Sequence, residues 1–148
     1  MSFLNKSIKL IDQTSFSSHS ILKEELQNLE YEGLLIESNQ EILRSRLAKK
    51  TPKKKGYFVA FWEKDSNNKN QAYHVDDEPQ HYLILVDDEG QRGMFVFPVQ
   101  VLEKQGILRN ETQKGKMAIR VYPRWESDLN PTATKTQKWQ NDYFYDLN

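Results

Sequence analysis

The chain has 148 residues, of which 37% are hydrophobic, 11% aromatic and 28% charged, with a mean hydropathy of −0.81 and 21 basic residues against 21 acidic ones. That length fits one domain spanning residues 1–148, and the aromatic content supplies a core that a disordered chain lacks. The absence of cysteine excludes a disulfide framework, a zinc ribbon and a thiol nucleophile.

Leu4, Ile8 and Ile11 stand at helical spacing and predict an N-terminal helix over Phe3 to Gln13. Ile21 to Glu30 fits either a helix, on Leu22, Leu26 and Leu29, or a strand. Tyr31 to Glu37 and Ile42 to Ala48 read as strands joined in a hairpin through Ser38-Asn39-Gln40. Tyr57 to Trp62 is apolar on both alternating faces, which predicts an interior strand with Phe58 and Phe61 both buried. Lys64 to Asp77, with its run Ser66-Asn67-Asn68-Lys69-Asn70, reads as a surface loop. Tyr82 to Val86 repeats the double-sided apolar character of Tyr57 to Trp62 and forms a second hairpin with Met94 to Phe97 across Asp87-Asp88-Glu89-Gly90. Pro98 opens a short helix ending at Gly106, and Ala118 to Tyr122 is a strand. Thr132 to Phe144 is a terminal helix with Thr136, Trp139, Gln140, Tyr143 and Phe144 on one side, its Trp139 and Tyr143 locking it onto the sheet or else offering rings on which bases stack. The elements sum to an α/β chain in α+β order, a single mixed, largely antiparallel sheet flanked by helices.

No run approaches the roughly 18 apolar residues of a membrane span. The first twenty residues lack the apolar core of a signal peptide, so a cytoplasmic domain without a membrane partner is expected. The even charge total conceals blocks. Residues 42–62 hold seven basic and no acidic side chains, and residues 93–125 hold six against two; the intervening segments are acidic. Such alternation produces a bipolar surface that steers anions to one face, unless the blocks pair with each other. The stretch Arg44 to Gly56 is the more concentrated block: Arg44 and Arg46 share a strand face, and Lys49, Lys50, Lys53, Lys54 and Lys55 surround a turn at Thr51-Pro52. It suits phosphate oxygens, or serves as an aggregation-blocking turn. Arg120 lies mid-strand and needs a carboxylate such as Glu32, or an anionic ligand. His74 and His81 flank three carboxylates, but Pro79 interrupts the Glu78-x-x-His81 spacing that would bind metal from a helix, and no metal site is expected. No P-loop, dinucleotide fingerprint or nucleophile elbow is present.

Arg46-Leu-Ala-Lys-Lys-Thr-Pro-Lys-Lys-Lys-Gly-Tyr-Phe-Val59, with Trp62, Phe95-Val-Phe-Pro98, Gly106-Ile107, Lys114 to Trp125 and Lys135 to Gln140 with Tyr143-Phe144, resembles the signature of the MepB-like family over about residues 30–148. The resemblance implies a small bacterial protein of a family without an established activity, with a fold similar to the restriction-endonuclease-like core. Nucleases of that class use Asp/Glu-x-Lys to hold Mg²⁺ and activate water. No acidic residue in this chain has a lysine two positions later. A metal-dependent nuclease would need a rearranged pair such as Glu32 with Lys49, and Mg²⁺ only in that case. The leading expectation is therefore a nucleic-acid or polyanion-binding module without an intact catalytic motif, using Arg46, Lys49, Thr51, Lys54, Arg120 and Lys135. The alternatives are the rearranged nuclease and a protein-interaction or small-ligand module.

Overall fold

The computed structural model describes residues 5–148. Helix α1 is Asn5–Ile11; Phe3 and Leu4 of the expected N-terminal helix lie outside the described residues. The ambiguous stretch resolves into both alternatives: His19–Glu24 is strand β1 and Leu26–Tyr31 is a 3₁₀ segment kinked at Asn28. The leucines at helical spacing do not mark its buried side, since Leu22 and Leu26 remain 48% and 68% exposed. The side chains it buries are Glu25 and Asn28.

Glu32, at φ 49°, ends the 3₁₀ segment, so the expected first strand of the hairpin starts three residues late, as β2, Leu34–Ser38. β3, Glu41–Leu47, follows across Asn39 and Gln40, both at positive φ as a tight two-residue hairpin turn demands. Next come β4 (Lys49–Lys50), β5 (Tyr57–Ala60), β6 (Trp62–Lys64) and β7 (Asn70–Ala72). The expected loop at 64–77 thus contains one arm of a small hairpin. β8 (His81–Asp88) and β9 (Gln91–Pro98) form the second long hairpin, turning at Glu89-Gly90. α2 (Val99–Lys104), β10 (Ala118–Val121), α3 (Pro131–Gln140) and β11 (Phe144–Asp146) complete the chain. The terminal helix therefore ends four residues early. Phe144 leaves it to pair with Phe95, its ring lying over Gly93, where an added Cβ would come within 2.4 Å of that ring.

The main sheet is mixed, with strand order β1-β2-β3-β8-β9-β11. All its pairings are antiparallel except β3 with β8. β8 is buried on both faces. Leu83 and Leu85 join Leu10, Ile11, Leu34 and Leu43 beneath α1, whereas Tyr82, Ile84 and Val86 join Phe95, Phe97 and Phe61 on the other side. β4, β5 and β10 form a separate three-stranded sheet on that second side, in the order β10-β5-β4, and β6 pairs with β7.

β5 is thus the middle strand of the small sheet and not of the main one. Tyr57, Val59 and Phe61 point into the core, but Phe58, Ala60 and Trp62 are only half-buried, which corrects the expectation that Phe58 is a core residue. Trp139 and Tyr143 do fix the chain's end to the sheet, with ring centroids 5.4 and 6.0 Å from that of Phe97. None of the described helices is long and apolar enough to cross a membrane.

Candidate anion-binding cleft

In the register of the small sheet, Lys49 and Arg120 stand on either side of Phe58. Residues opposite one another share a sheet face, so all three side chains belong to the outer one. The Arg120 guanidinium carbon lies 5.7 Å from the Phe58 ring centroid. Tyr31 reaches the same face from the 3₁₀ segment, its ring 6.2 Å from Phe58, and Lys49 Nζ is 5.5 Å from Tyr31.

Arg120 also secures the basic loop. Its Nη1 donates to Thr51 Oγ1 at 2.9 Å and to the Lys55 carbonyl at 3.2 Å, while Thr51 Oγ1 donates onward to the Lys54 carbonyl at 3.4 Å. Thr51 is therefore a partner that orients Arg120. Among the described residues no carboxylate is within ion-pair reach of Arg120. The expected pairing with Glu32 does not form: Glu32 is buried, and its Oε1 accepts from the backbone N–H of Ser7 at 2.9 Å. Nor does any hydrogen bond or ion pair join Glu32 to the exposed Lys49, so the rearranged catalytic pair is not assembled.

Two further contacts shape the loop. Gly56, at φ +82°, lies against Tyr122, whose ring a Cβ would meet at 2.6 Å; both backbone and space require glycine there. Lys55 Nζ donates to the Ser127 carbonyl at 2.7 Å, bringing residues 126–130 alongside. Asn130 then caps α3, its side chain accepting from the Ala133 N–H at 2.8 Å. Between loop and helix is a cleft of about 490 Å³ lined by Lys53, Lys54, Lys55, Arg120 and Tyr122, with Asp128 the acidic residue on its wall.

α3 is attached to β10 by amides more than by apolar packing. Gln140, 1% exposed, accepts from the Tyr122 N–H at 2.9 Å and donates to the Arg120 carbonyl at 3.0 Å, completing the edge of β10 as another strand would. Gln137 Nε2 donates to the carbonyls of Pro123 and Glu126. The sequence pattern sets Gln140 on the packed side of this helix but gives neither glutamine a role, because an amide on a helix carries no pattern that separates a buried connector from a solvated side chain.

Arg46 is not in this cleft. It is fully buried on the inner side of β3, together with Arg44 and the carboxylate of Glu25. Arg44 Nε and Arg46 Nη1 approach Glu25 Oε1 at 3.0 and 2.7 Å. Arg46 Nη2 donates to Asn28 Oδ1 at 2.9 Å and to the Tyr73 hydroxyl, while Arg44 Nη1 donates to the Tyr82 hydroxyl at 3.1 Å. A Cβ at Gly33 would lie 2.9 Å from Arg46 Nη1, so that glycine makes room for the guanidinium. Burial alone would raise the pKa of Glu25, but the charges of Arg46 and Arg44 outweigh it and hold the carboxyl below its ordinary value. Burial also pushes the Tyr73 hydroxyl up to about 12, so it remains a neutral hydrogen-bonding group. An arginine so placed is a structural cation and not a phosphate ligand.

Lys135 is exposed on α3, farther from the basic loop, beside Trp139. Of the expected anion-binding residues, the structure gathers Lys49, Thr51, Lys54 and Arg120 around the small sheet, sets Lys135 along the adjoining helix and buries Arg46. The two histidines diverge: His74 Nδ1 accepts from the Asp76 N–H at 2.9 Å, and His81 Nδ1 faces Glu41 at 3.3 Å. Among the described residues no group of three His, Asp or Glu side chains converges in a way that could hold a metal ion.

The model of the MepB-like family matches residues 25–146. The crystal structure of MepB superposes with a TM-score of 0.87 at 46% sequence identity, covering 97% of both chains. A bacterial homing endonuclease, I-Ssp6803I, superposes with a TM-score of 0.51 at 14% identity over 94% of this chain and 89% of its own. That likeness is one of fold, similar to the restriction-endonuclease-like core, as the sequence resemblance implied. No curated protein matches the chain. Sequence signature, family model and fold agree, and the chain belongs to the MepB-like family.

Proposed function

We propose that this protein binds nucleic acid or another polyanion through its phosphate groups, at the cleft between the basic loop and α3, without hydrolysing it. The carrying observation is Arg120: a half-buried guanidinium with no carboxylate partner among the described residues, on a cleft that it shares with Lys53, Lys54 and Lys55. A strand-borne arginine fixed by Thr51 offers its remaining donors in a set direction, and the flexible lysines add charge around it. The fold shared with a homing endonuclease supports the reading by analogy alone. The absence of an Asp/Glu-x-Lys motif and the engagement of Glu32 by the Ser7 backbone N–H, with no bond to Lys49, argue against a cleaving role.

Binding of phosphates releases condensed counterions, so affinity falls with salt in proportion to the number of contacts. The double variant Lys53→Gln/Lys54→Gln, which removes two of the lysines on the cleft wall, titrated by fluorescence anisotropy with nucleic acid of unrelated sequences, is expected to weaken all of them alike. The slope of log affinity against log salt should flatten by about 1.5 to 2 units. An unchanged slope and affinity would reject the cleft as the binding site. Arg120→Met should weaken binding more than either lysine change alone, since it removes the oriented donors and releases the loop they hold.

A second reading, a protein-interaction module, draws on β1. This is an edge strand of the main sheet with Ile21 and Leu22 about half exposed and Leu26 beyond it more so. On that reading Leu22→Lys should abolish a sedimentation-detected association and leave polyanion binding intact.

A further inference from the structure

The depression that holds Arg120 continues beyond the cleft. Arg120 and Tyr122 also line a second cavity of about 220 Å³ that reaches Lys116 and Trp139. Thr136 and Trp139 pass from there into a third, of about 430 Å³, bordered by Lys135. Thr132 lies on the walls of both the first and the third. A groove therefore follows α3 from Thr132 to Trp139, about 10 Å at 1.5 Å per helical residue. It exists because α3 is tied to the end of β10 by the side-chain amide of Gln140 and to the segment after it by that of Gln137, its fully buried residues being Ala133 and Gln140, while Trp139 packs on Phe97 of β9 rather than on β10. A helix packed by large apolar residues would have filled the seam.

The lining alternates cations with rings. Lys53, Lys54 and Lys55 lead to Arg120, then Tyr122, then Lys116, and Trp139 with Lys135 closes the far end; Asp128 and Asp142 are the acidic residues along it. Trp139 rests on Phe97 and is half-buried, so part of its indole remains on the groove.

We infer that this groove binds single-stranded nucleic acid, its backbone following Lys53–Lys55, Arg120 and Lys135, with an unpaired base laid on Trp139. The inference rests on the polyanion-binding reading and narrows it. Bare polyphosphate has nothing to place against an indole. A duplex keeps its bases stacked inside and presents phosphates on a convex surface, which a groove of nucleotide-sized cavities does not match. A single strand offers both a phosphate chain and free base faces, and basic grooves with aromatic platforms recognise it irrespective of sequence.

The test uses the full chain with four probes. These are labelled oligo(dT) and oligo(U) of about twelve nucleotides, within the roughly 4–16 that a single-strand-binding domain covers, a duplex of equal length, and inorganic polyphosphate. The single strands should bind more tightly than the duplex and quench tryptophan emission. Trp139→Leu keeps an apolar contact to Phe97 but removes the stacking face. It should lose about 5- to 100-fold in single-strand affinity, and most of the quenching, with polyphosphate binding unchanged. Trp139→Phe should recover part of the affinity, which a purely structural tryptophan would not require. Equal binding of duplex and single strand, or a folded Trp139→Leu with undiminished single-strand affinity, overturns this inference and leaves the broader reading standing. Failure of all four probes to bind overturns both. Relative affinity for oligo(dT) and oligo(U) assigns the strand as DNA or RNA.

Discussion

Glu25→Gln is expected to destabilise the fold by about 3–5 kcal/mol in urea denaturation, enough to leave it unfolded at ordinary temperature if its total stability is modest. Two guanidinium groups, those of Arg44 and Arg46, are 6% and 0% exposed, and the carboxylate of Glu25 is the anion both of them touch. An amide in its place accepts one or two hydrogen bonds but neutralises neither charge, so both arginines would be left as uncompensated buried cations. Arg46→Met should cost less. It removes one of two cations that share one carboxylate and leaves Arg44 paired, although Asn28 and Tyr73 lose a donor. An Arg46→Met variant less stable than Glu25→Gln would contradict this ordering.

The pH dependence has a definite sign. Glu25 titrates below its ordinary value of about 4.5 in the folded protein, because its two arginines outweigh the effect of burial. A lowered folded pKa contributes stability that is complete above the unfolded pKa and is lost as the pH falls through the folded one. The stability gap between wild type and Glu25→Gln should therefore be widest near neutrality. It should narrow progressively below about pH 4.5, as the wild-type carboxyl takes up a proton. Urea midpoints measured across the acid range check this, and a gap independent of pH would remove Glu25 from the titrating network.

The same network explains where sequence reading reached its limit. Charge counting treats Arg44 to Lys55 as one basic block, yet the fold divides it at Leu47: two arginines turn into the core, and the lysines beyond Ala48 are exposed. Their partner Glu25 comes from a stretch whose leucines suggested a buried face, and only the tertiary fold brings that carboxylate beneath β3. One signal was available, the residue type itself, since arginine suits buried bidentate pairs and lysine suits solvated positions. Turn chemistry, by contrast, is local and was legible. Asn39-Gln40 and Glu89-Gly90 turn where their sequences require, and the double-sided apolarity of β8 marked the interior of the main sheet. The same double-sided pattern misled at Tyr57 to Trp62. There the outer face sets aromatics against the charged ends of Lys49 and Arg120, a partial cover that a sequence pattern cannot distinguish from a second core.

That difference separates two phenylalanines three residues apart. Phe61→Ala should cost about 3–5 kcal/mol by calorimetry or urea denaturation, the sum of lost transfer energy and the cavity left behind. The ring is fully buried, 5.3 Å edge-on from Tyr73 and 5.0 Å from Tyr82 between centroids. Those two tyrosines also hold Arg46 and Arg44, so the cavity would open beside the buried charges and relax poorly. Phe58→Ala should cost markedly less, about 1–2 kcal/mol, because the half-buried ring loses only part of its burial area. Its larger effect should fall on binding, since Phe58 separates Lys49 from Arg120 and supports the guanidinium at 5.7 Å. Equal losses of stability at the two positions would mean that the outer face of the small sheet is covered in solution, by a second copy or another chain, and that the cleft beside it is not free to receive a polyanion.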